Sequence, residues 1–422
     1  MSAITPALRC TSTGAMAGLG EAAGVGLAFD WRRAAVEARK ERKGERPRLP
    51  EKLERFLQSQ PETPVLAVDL DVVEAKYREL QKHFPGISIH YAVKANPETE
   101  LVARLAKRGS SFDIASRWEL EMCLALGVAP SRISYGSTIK KSGDIAYAFR
   151  LGVRCFAFDS EAELRKLAAH APGAGVMCRI QTSGKNAGWP LSRKFGCDLE
   201  MAAELLLMTR ELGMRSMGVT FHVGSQQTDP TQWRTPLHEA AELFRHVGRE
   251  GIRLDTVNIG GGFPVSYQED VPSVEEFADA IGEAVRDAFG DSPPYLMLEP
   301  GRSLVAEAGV IQSEVVLVSR KSRSEKTRWV YLDVGKFGGL AETLDESIKY
   351  PLRTTRKGMP GPVVLAGPTC DSADILYEKA GYTLPLDLEC GDRIEILNTG
   401  AYTSSYASVG FNGIPPLRTC CL

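Results

Sequence analysis

The 422-residue chain is short of the features that would tie it to a membrane, a nucleic acid or a secreted scaffold. No apolar run approaches the ~18 to 20 residues needed to span a bilayer, so a soluble protein is expected. Lys and Arg number 51 against 53 Asp and Glu, and the formal net charge of -2 supplies no field to draw in nucleic acid or an anionic surface. The nine cysteines are odd in number and scattered, with no CxxC pair. That pattern argues against a structural zinc site or a disulfide framework and for a reducing, cytoplasmic compartment. No second histidine stands at a metal-binding spacing from His222, so no metal site is expected. GxxxxGK, GxSxG and a well-placed GxGxxG are missing as well, which leaves NTPase, serine-hydrolase and dinucleotide-binding readings without a fingerprint.

What is present is an ordinary globular composition, 43% hydrophobic and 25% charged, long enough for two domains. Residues 1–29 are rich in Ala, Gly, Ser and Thr, and "WRRAAVEARKERKGERPRLP" follows as a mixed-charge, mainly basic run. Residues 1–60 are therefore expected to form a poorly ordered extension, with a helix around 31–43; an organelle-targeting segment is the alternative.

From "TPVLAVDLD" onward, short β-branched runs alternate with longer amphipathic segments. The runs "ISIHYAVK", "SSFDIA", "RISYGS", "CFAFDS", "GVMCRIQ", "MGVTFHVG", "TVNIGG" and "YLMLEP" read as strands, with helical patterns such as "LEMAAELLLMTRELG" and "VEEFADAIGEAVRDAF" between them. Strands alternating with helices predict right-handed βα units, and about eight of them over roughly 220 residues predict a (β/α)8 TIM-like barrel. An open doubly wound sheet is the rival arrangement.

A barrel concentrates chemistry on the loops after its strands. Those ends carry Lys94, Asp113, Ser137, Asp159, Arg179, His222, the run Gly260-Gly261-Gly262, and Glu299 with Arg302. Lys94 stands where a strand should turn: it is either a surface charge or an amine in a dry pocket, poised to attack a carbonyl. The glycine run offers N–H groups to an anion, with Ser225 and Arg302 as further donors, although a plain tight turn would look the same. An imine-forming lysine, a phosphate cradle, a histidine able to stack on a ring and a carboxylate for a ring nitrogen together suit pyridoxal 5'-phosphate.

The motifs "YAVKAN", "FDIAS", "FHVGS", "GGGFP", "EPGR", "GPTCDSAD" and "GAYTSSYASVGFNG" occur in that order from about residue 62 to 418. In this set the chain resembles the barrel-type (fold type III) pyridoxal-phosphate decarboxylases of basic amino acids, and most of all bacterial ornithine decarboxylases. The resemblance implies that Lys94 carries the cofactor covalently, His222 stacks on its ring and Glu299 pairs with its pyridine nitrogen. Ser225, Gly261, Gly262, Arg302 and Tyr402 would hold the phosphate, and Asp113, Glu119 and Arg179 would support Lys94 and His222.

The same resemblance implies a β-barrel or sandwich domain over residues 307–422, joined by a first strand within 61–72, with the (β/α)8 barrel over 73–306. "GVIQSEVVLVS", "RWVYLDVG", "GPVVLAG" and "DRIEILN", strand-like and without helices between them, agree with it. In such enzymes the site is shared across a homodimer, so Cys370 and Asp371 would serve the partner's lysine, with Cys370 as proton donor. Asp345 and Asp371 would bind the distal amine and Phe411 would lie beside the substrate. The implied reaction converts L-ornithine to putrescine for polyamine biosynthesis, with L-lysine to cadaverine as a second activity. The alternatives are a lysine- or diaminopimelate-preferring decarboxylase, an amino acid racemase and a silent regulatory homologue.

Overall fold

The computed structural model describes residues 49–189 and 194–422. Eight parallel strands close into a barrel in the order Ser88–Ala92, Ser111–Ile114, Ile133–Tyr135, Cys155–Phe158, Gly175–Arg179, Arg215–Thr220, Thr256–Asn258 and Tyr295–Leu298, the last pairing back to the first. This is the expected (β/α)8 barrel, not the open sheet. Its strands are short and nearly continuous in apolar character because helices cover one face and barrel-interior side chains the other. "CFAF" and "GVMCR" show this directly, with Phe156, Phe158, Val176 and Cys178 fully buried.

The covering helices start where the sequence supplies caps. The side chains of Ser116, Ser160, Asp198 and Ser273 each accept a first-turn backbone N–H, and Ser273 with Glu276 completes a reciprocal capping box. The helix Arg234–Arg249 then buries Leu237, Ala240, Leu243 and Val247 at three- and four-residue spacing.

The second domain is built on sheet. Gly309–Ser319 is its central strand, pairing with Arg328–Leu332 on one side and Arg393–Leu397 on the other. The strand Val65–Val68 belongs to this domain, antiparallel to Gly309–Ser319 and parallel to Arg418–Cys421. The strands Leu352–Thr354, Ile375–Tyr377, Thr383–Pro385 and Arg418–Cys421 carry too little pattern of their own to be read from sequence.

Residues 1–48, including the helix expected at 31–43, lie outside the described residues. The rest of the expected extension is corrected: Glu51–Ser59 is a helix. Its charged composition conceals an i, i+4 apolar pair, Leu53 and Leu57, which packs on Ala67, Val310 and Leu397. Lys52 fastens the same helix to Asp69 and Asp71 at 3.2 and 2.9 Å. Among the described residues, no helix is long and apolar enough to cross a membrane.

Leu57→Ala should cost about 2 to 4 kcal/mol of stability, because it opens a cavity between helix and sheet. Arg55→Ala on the exposed face should change stability by less than about 0.5 kcal/mol. Paired denaturant titrations would give equal, negligible shifts if the segment were only a frayed extension.

Candidate active site

The first barrel strand stops at Ala92, and Lys94 lies in the single 3-10 turn Val93–Ala95 that follows, not on the strand itself. Asn96 makes that turn rigid. It is buried, its backbone N–H bonds Val93 O, its Nδ2 donates to Gly400 O at 2.8 Å, and its Oδ1 accepts from Glu98 N at 3.1 Å. The Tyr91 hydroxyl closes the turn by donating to Asn96 O at 2.9 Å. A locked backbone is what a long, flexible side chain needs if its tip is to be placed accurately.

Lys94 Nζ reaches Asp113 Oδ2 at 3.2 Å at the end of the barrel strands, where the lysine side chain is 48% exposed and the aspartate 2%. Desolvation pulls the lysine pKa down, but the Asp113 carboxylate, through its charge and its hydrogen bond, outweighs it and holds the ammonium above the ordinary lysine range. Among the described residues, the other carboxylate oxygen, Asp113 Oδ1, is buried without a partner. Glu119 accepts Ala115 N at 2.6 Å, so it braces the loop after the second strand.

His222 lies two residues beyond its strand. Its Nδ1 accepts Gly224 N at 3.0 Å, which puts the ring proton on Nε2. Burial first, then the charges of Arg179 and Lys94, push its pKa down to about 3, so the ring is neutral at working pH. Glu299 is pushed the other way, up to about 7, by burial and by Asp113. Asn258 had no signal in the sequence, yet it orders this corner: Nδ2 donates to Glu299 Oε1 at 2.5 Å and Oδ1 accepts Gly260 N at 2.9 Å.

The glycine run closes the far end. A Cβ on Gly261 would meet Glu299 O at 2.2 Å, and one on Gly262 would meet Gly224 O at 2.3 Å, so neither place admits a side chain. Among the described residues, the Gly261 and Gly262 N–H groups have no acceptor. Arg302 Nη2 approaches Ser225 Oγ at 3.2 Å, and its guanidinium stacks 5.0 Å from the Tyr402 ring centroid. Two more residues that the sequence did not single out complete the corner, Tyr267 and Glu342, at 2.8 and 2.7 Å from Arg302 Nη1. Free N–H pairs, a guanidinium and a hydroxyl fit a phosphate. Neutral imidazole, buried carboxyl and lysine fit the ring and aldehyde of pyridoxal.

Four expected residues stand apart from this cluster. Asp345 is exposed at a left-handed backbone position, with φ of 52°. Cys370, Asp371 and Phe411 form a separate exposed edge of the sheet domain, with no hydrogen bond to Lys94 among the described residues. Cys370 N donates to Asn412 Oδ1 at 3.0 Å, Asp371 Oδ1 accepts Ala373 N at 2.8 Å, and Phe411 packs 5.0 Å from Phe337. Buried Asp374 holds that loop by accepting from Lys336 N, Thr369 N and Thr369 Oγ1. Ser137 and Asp159, also at strand ends, bond backbone atoms of Ile139 and Gly196 and serve loop structure.

Residues 70–306 match the family described as pyridoxal-dependent decarboxylase, pyridoxal binding domain. The lysine/ornithine decarboxylase of Selenomonas ruminantium is 35% identical over 367 residues, covering 87% of this chain and 91% of its own. Antizyme inhibitor 2 of Xenopus laevis is 33% identical, over 83% of this chain and 78% of its own. The crystal structure of the Vibrio vulnificus lysine/ornithine decarboxylase complexed with cadaverine superposes with a TM-score of 0.80 at 32% identity, covering 89% of this chain and 100% of that one. With barrel, site and these likenesses in agreement, the chain belongs to the fold type III, pyridoxal-phosphate-dependent decarboxylases of basic amino acids.

Proposed function

We propose that the chain decarboxylates L-ornithine to putrescine, with L-lysine to cadaverine as a second activity, in a homodimer whose sites are shared. The observation that carries the reading is the Lys94–Asp113 pair, at 3.2 Å, set among neutral His222, Glu299 and the free glycine N–H groups. A silent homologue resembling antizyme inhibitor would not need that complete set. The Vibrio vulnificus relatives complexed with cadaverine and with putrescine support the diamine products.

In this reading Lys94 anchors the cofactor's aldehyde carbon, and Ser225, Gly261, Gly262, Arg302 and Tyr402 hold its phosphate. Pyridoxal phosphate, when bound, takes up the electron pair that carbon dioxide leaves on the substrate's α-carbon. His222, uncharged, packs on a ring face, and Arg179 lies close enough to depress its basicity. Glu299, balanced near pH 7, becomes a full carboxylate once a cationic ring nitrogen lies beside it. Cys370 of one subunit returns the proton to the α-carbon in the other, and Asp345 with the partner's Asp371 holds the distal ammonium beside Phe411. Diaminopimelate would set its second carboxylate against these acids, which disfavours it. Ornithine and lysine differ by one methylene, worth about 1 to 3 kcal/mol in a pocket, so both fit one recognition scheme.

Incubation with ornithine, lysine, arginine and diaminopimelate, scoring the amines formed, should rank ornithine first and lysine second; a diaminopimelate or arginine preference would sink the assignment. Lys94→Ala should remove covalent cofactor attachment and nearly all turnover. Mixed with inactive Cys370→Ala subunits, it should recover part of the activity, since one hybrid site carries neither change; no recovery after proven subunit exchange would rule out a shared site. Asp371→Asn should lower kcat/KM for ornithine about ten- to a hundredfold while leaving the cofactor spectrum unchanged, and loss of cofactor instead would contradict its role in substrate binding.

A further inference from the structure

Arg302 is assigned above to the phosphate, yet it already has an anion. Glu342 takes both terminal nitrogens in a bidentate pair, Nη2 to Oε1 at 2.6 Å and Nη1 to Oε2 at 2.7 Å. The two side chains are 3% and 6% exposed. The other guanidinium edge, Nε and Nη2, faces Ser225 Oγ at 3.4 and 3.2 Å, and Nη1 also meets the Tyr267 hydroxyl at 2.8 Å. These contacts match the five N–H groups of a guanidinium one for one.

An unpaired guanidinium this deep would be costly, so the cofactor-free fold needs a carboxylate here. When phosphate arrives at the edge facing Ser225, the same carboxylate becomes an anion close to an anion in a place water barely reaches. Orientation of Arg302 does not depend on it alone, because Ser225, Tyr267 and the Tyr402 ring also fix the plane. Removing the carboxylate therefore changes charge more than geometry.

We propose that Glu342 is the resident counter-ion of Arg302: it stands in for phosphate when the cofactor is absent, keeps the empty fold stable, and makes phosphate binding weaker than Arg302 alone would allow. This rests on reading Arg302 as the phosphate-binding arginine. The enzyme thereby keeps a cofactor-free state that can be refilled, at some loss of cofactor affinity.

The test strips full-length wild type, Glu342→Gln and Arg302→Ala of cofactor and titrates each with pyridoxal phosphate and with pyridoxal, which lacks the phosphate. Glu342→Gln should raise the preference for the phosphorylated form on the order of tenfold. It should also lower the Tm of the cofactor-free protein more than that of the loaded one. Arg302→Ala should lose most of the preference. If Arg302→Ala loses it while Glu342→Gln leaves it unchanged or lowers it, the counter-ion role is overturned and the arginine assignment survives. If Arg302→Ala keeps the full preference, both fall together. Should empty Glu342→Gln be too unstable to titrate, inorganic phosphate must raise its Tm at concentrations that leave wild type unmoved, and failure of that rescue also overturns the proposal.

Discussion

One ammonium held against one buried carboxylate, Lys94 on Asp113, organises the charge of the whole barrel mouth. Burial sets the ionisation of the neighbours first, and that pair then adjusts it. The positive charge on Lys94 helps keep His222 neutral, the negative charge on Asp113 helps push Glu299 toward neutrality, and Lys94 pulls Glu299 back. So many titratable groups in one buried place are tolerated because positive members are paired with negative ones, as Lys94 is with Asp113 and Arg302 with Glu342. Asp113 Oδ1, without a partner among the described residues, is the residual imbalance, while its sister oxygen Oδ2 faces Lys94 Nζ.

The barrel is legible in the sequence because most of its strands are buried on both faces over most of their length, which leaves a run such as "CFAF" that few other contexts tolerate. Lys94, His222, Glu299 and Arg302 are legible for a related reason: polar types cluster immediately after those runs. The rest depends on approach across the chain. Asn258 looks like an ordinary strand-end amide until Glu299 and Gly260 lie beside it. Glu342 stands 40 residues from Arg302, in a short segment of the other domain, and nothing local marks it. The helix Glu51–Ser59 fails differently, since only Leu53 and Leu57 of its nine residues are fully buried and seven mostly polar neighbours mask them.

The two domains divide the labour by rigidity. In the proposed reading, the turns that follow the barrel strands fix the groups that would hold a planar cofactor, where small errors of angle matter, whereas the sheet domain carries Asp345, Cys370, Asp371 and Phe411 on exposed turns. Buried Asp374, with two hydrogen bonds from Thr369 in the loop around Cys370 and a third from Lys336 N, gives one of those turns a fixed shape before any ligand arrives. In that reading, recognition of substrate length could shift by adjusting turns without disturbing the barrel.

The stitching between Asn96 and Gly400, reinforced by Tyr402 N donating to Ala95 O at 2.8 Å, bears on how such a protein can be rebuilt. The lysine-bearing turn is clamped from outside its own barrel, by a loop some three hundred residues later in the chain. A barrel grafted onto a foreign partner domain would keep its circle of strands but lose the outer jaw of that clamp. Recombination between relatives should therefore respect a seam that runs through the active site: Tyr91, Lys94 and Asn96 travel with the segment Gly400–Tyr402, and a chimera that separates them inherits a folded scaffold with an unanchored amine.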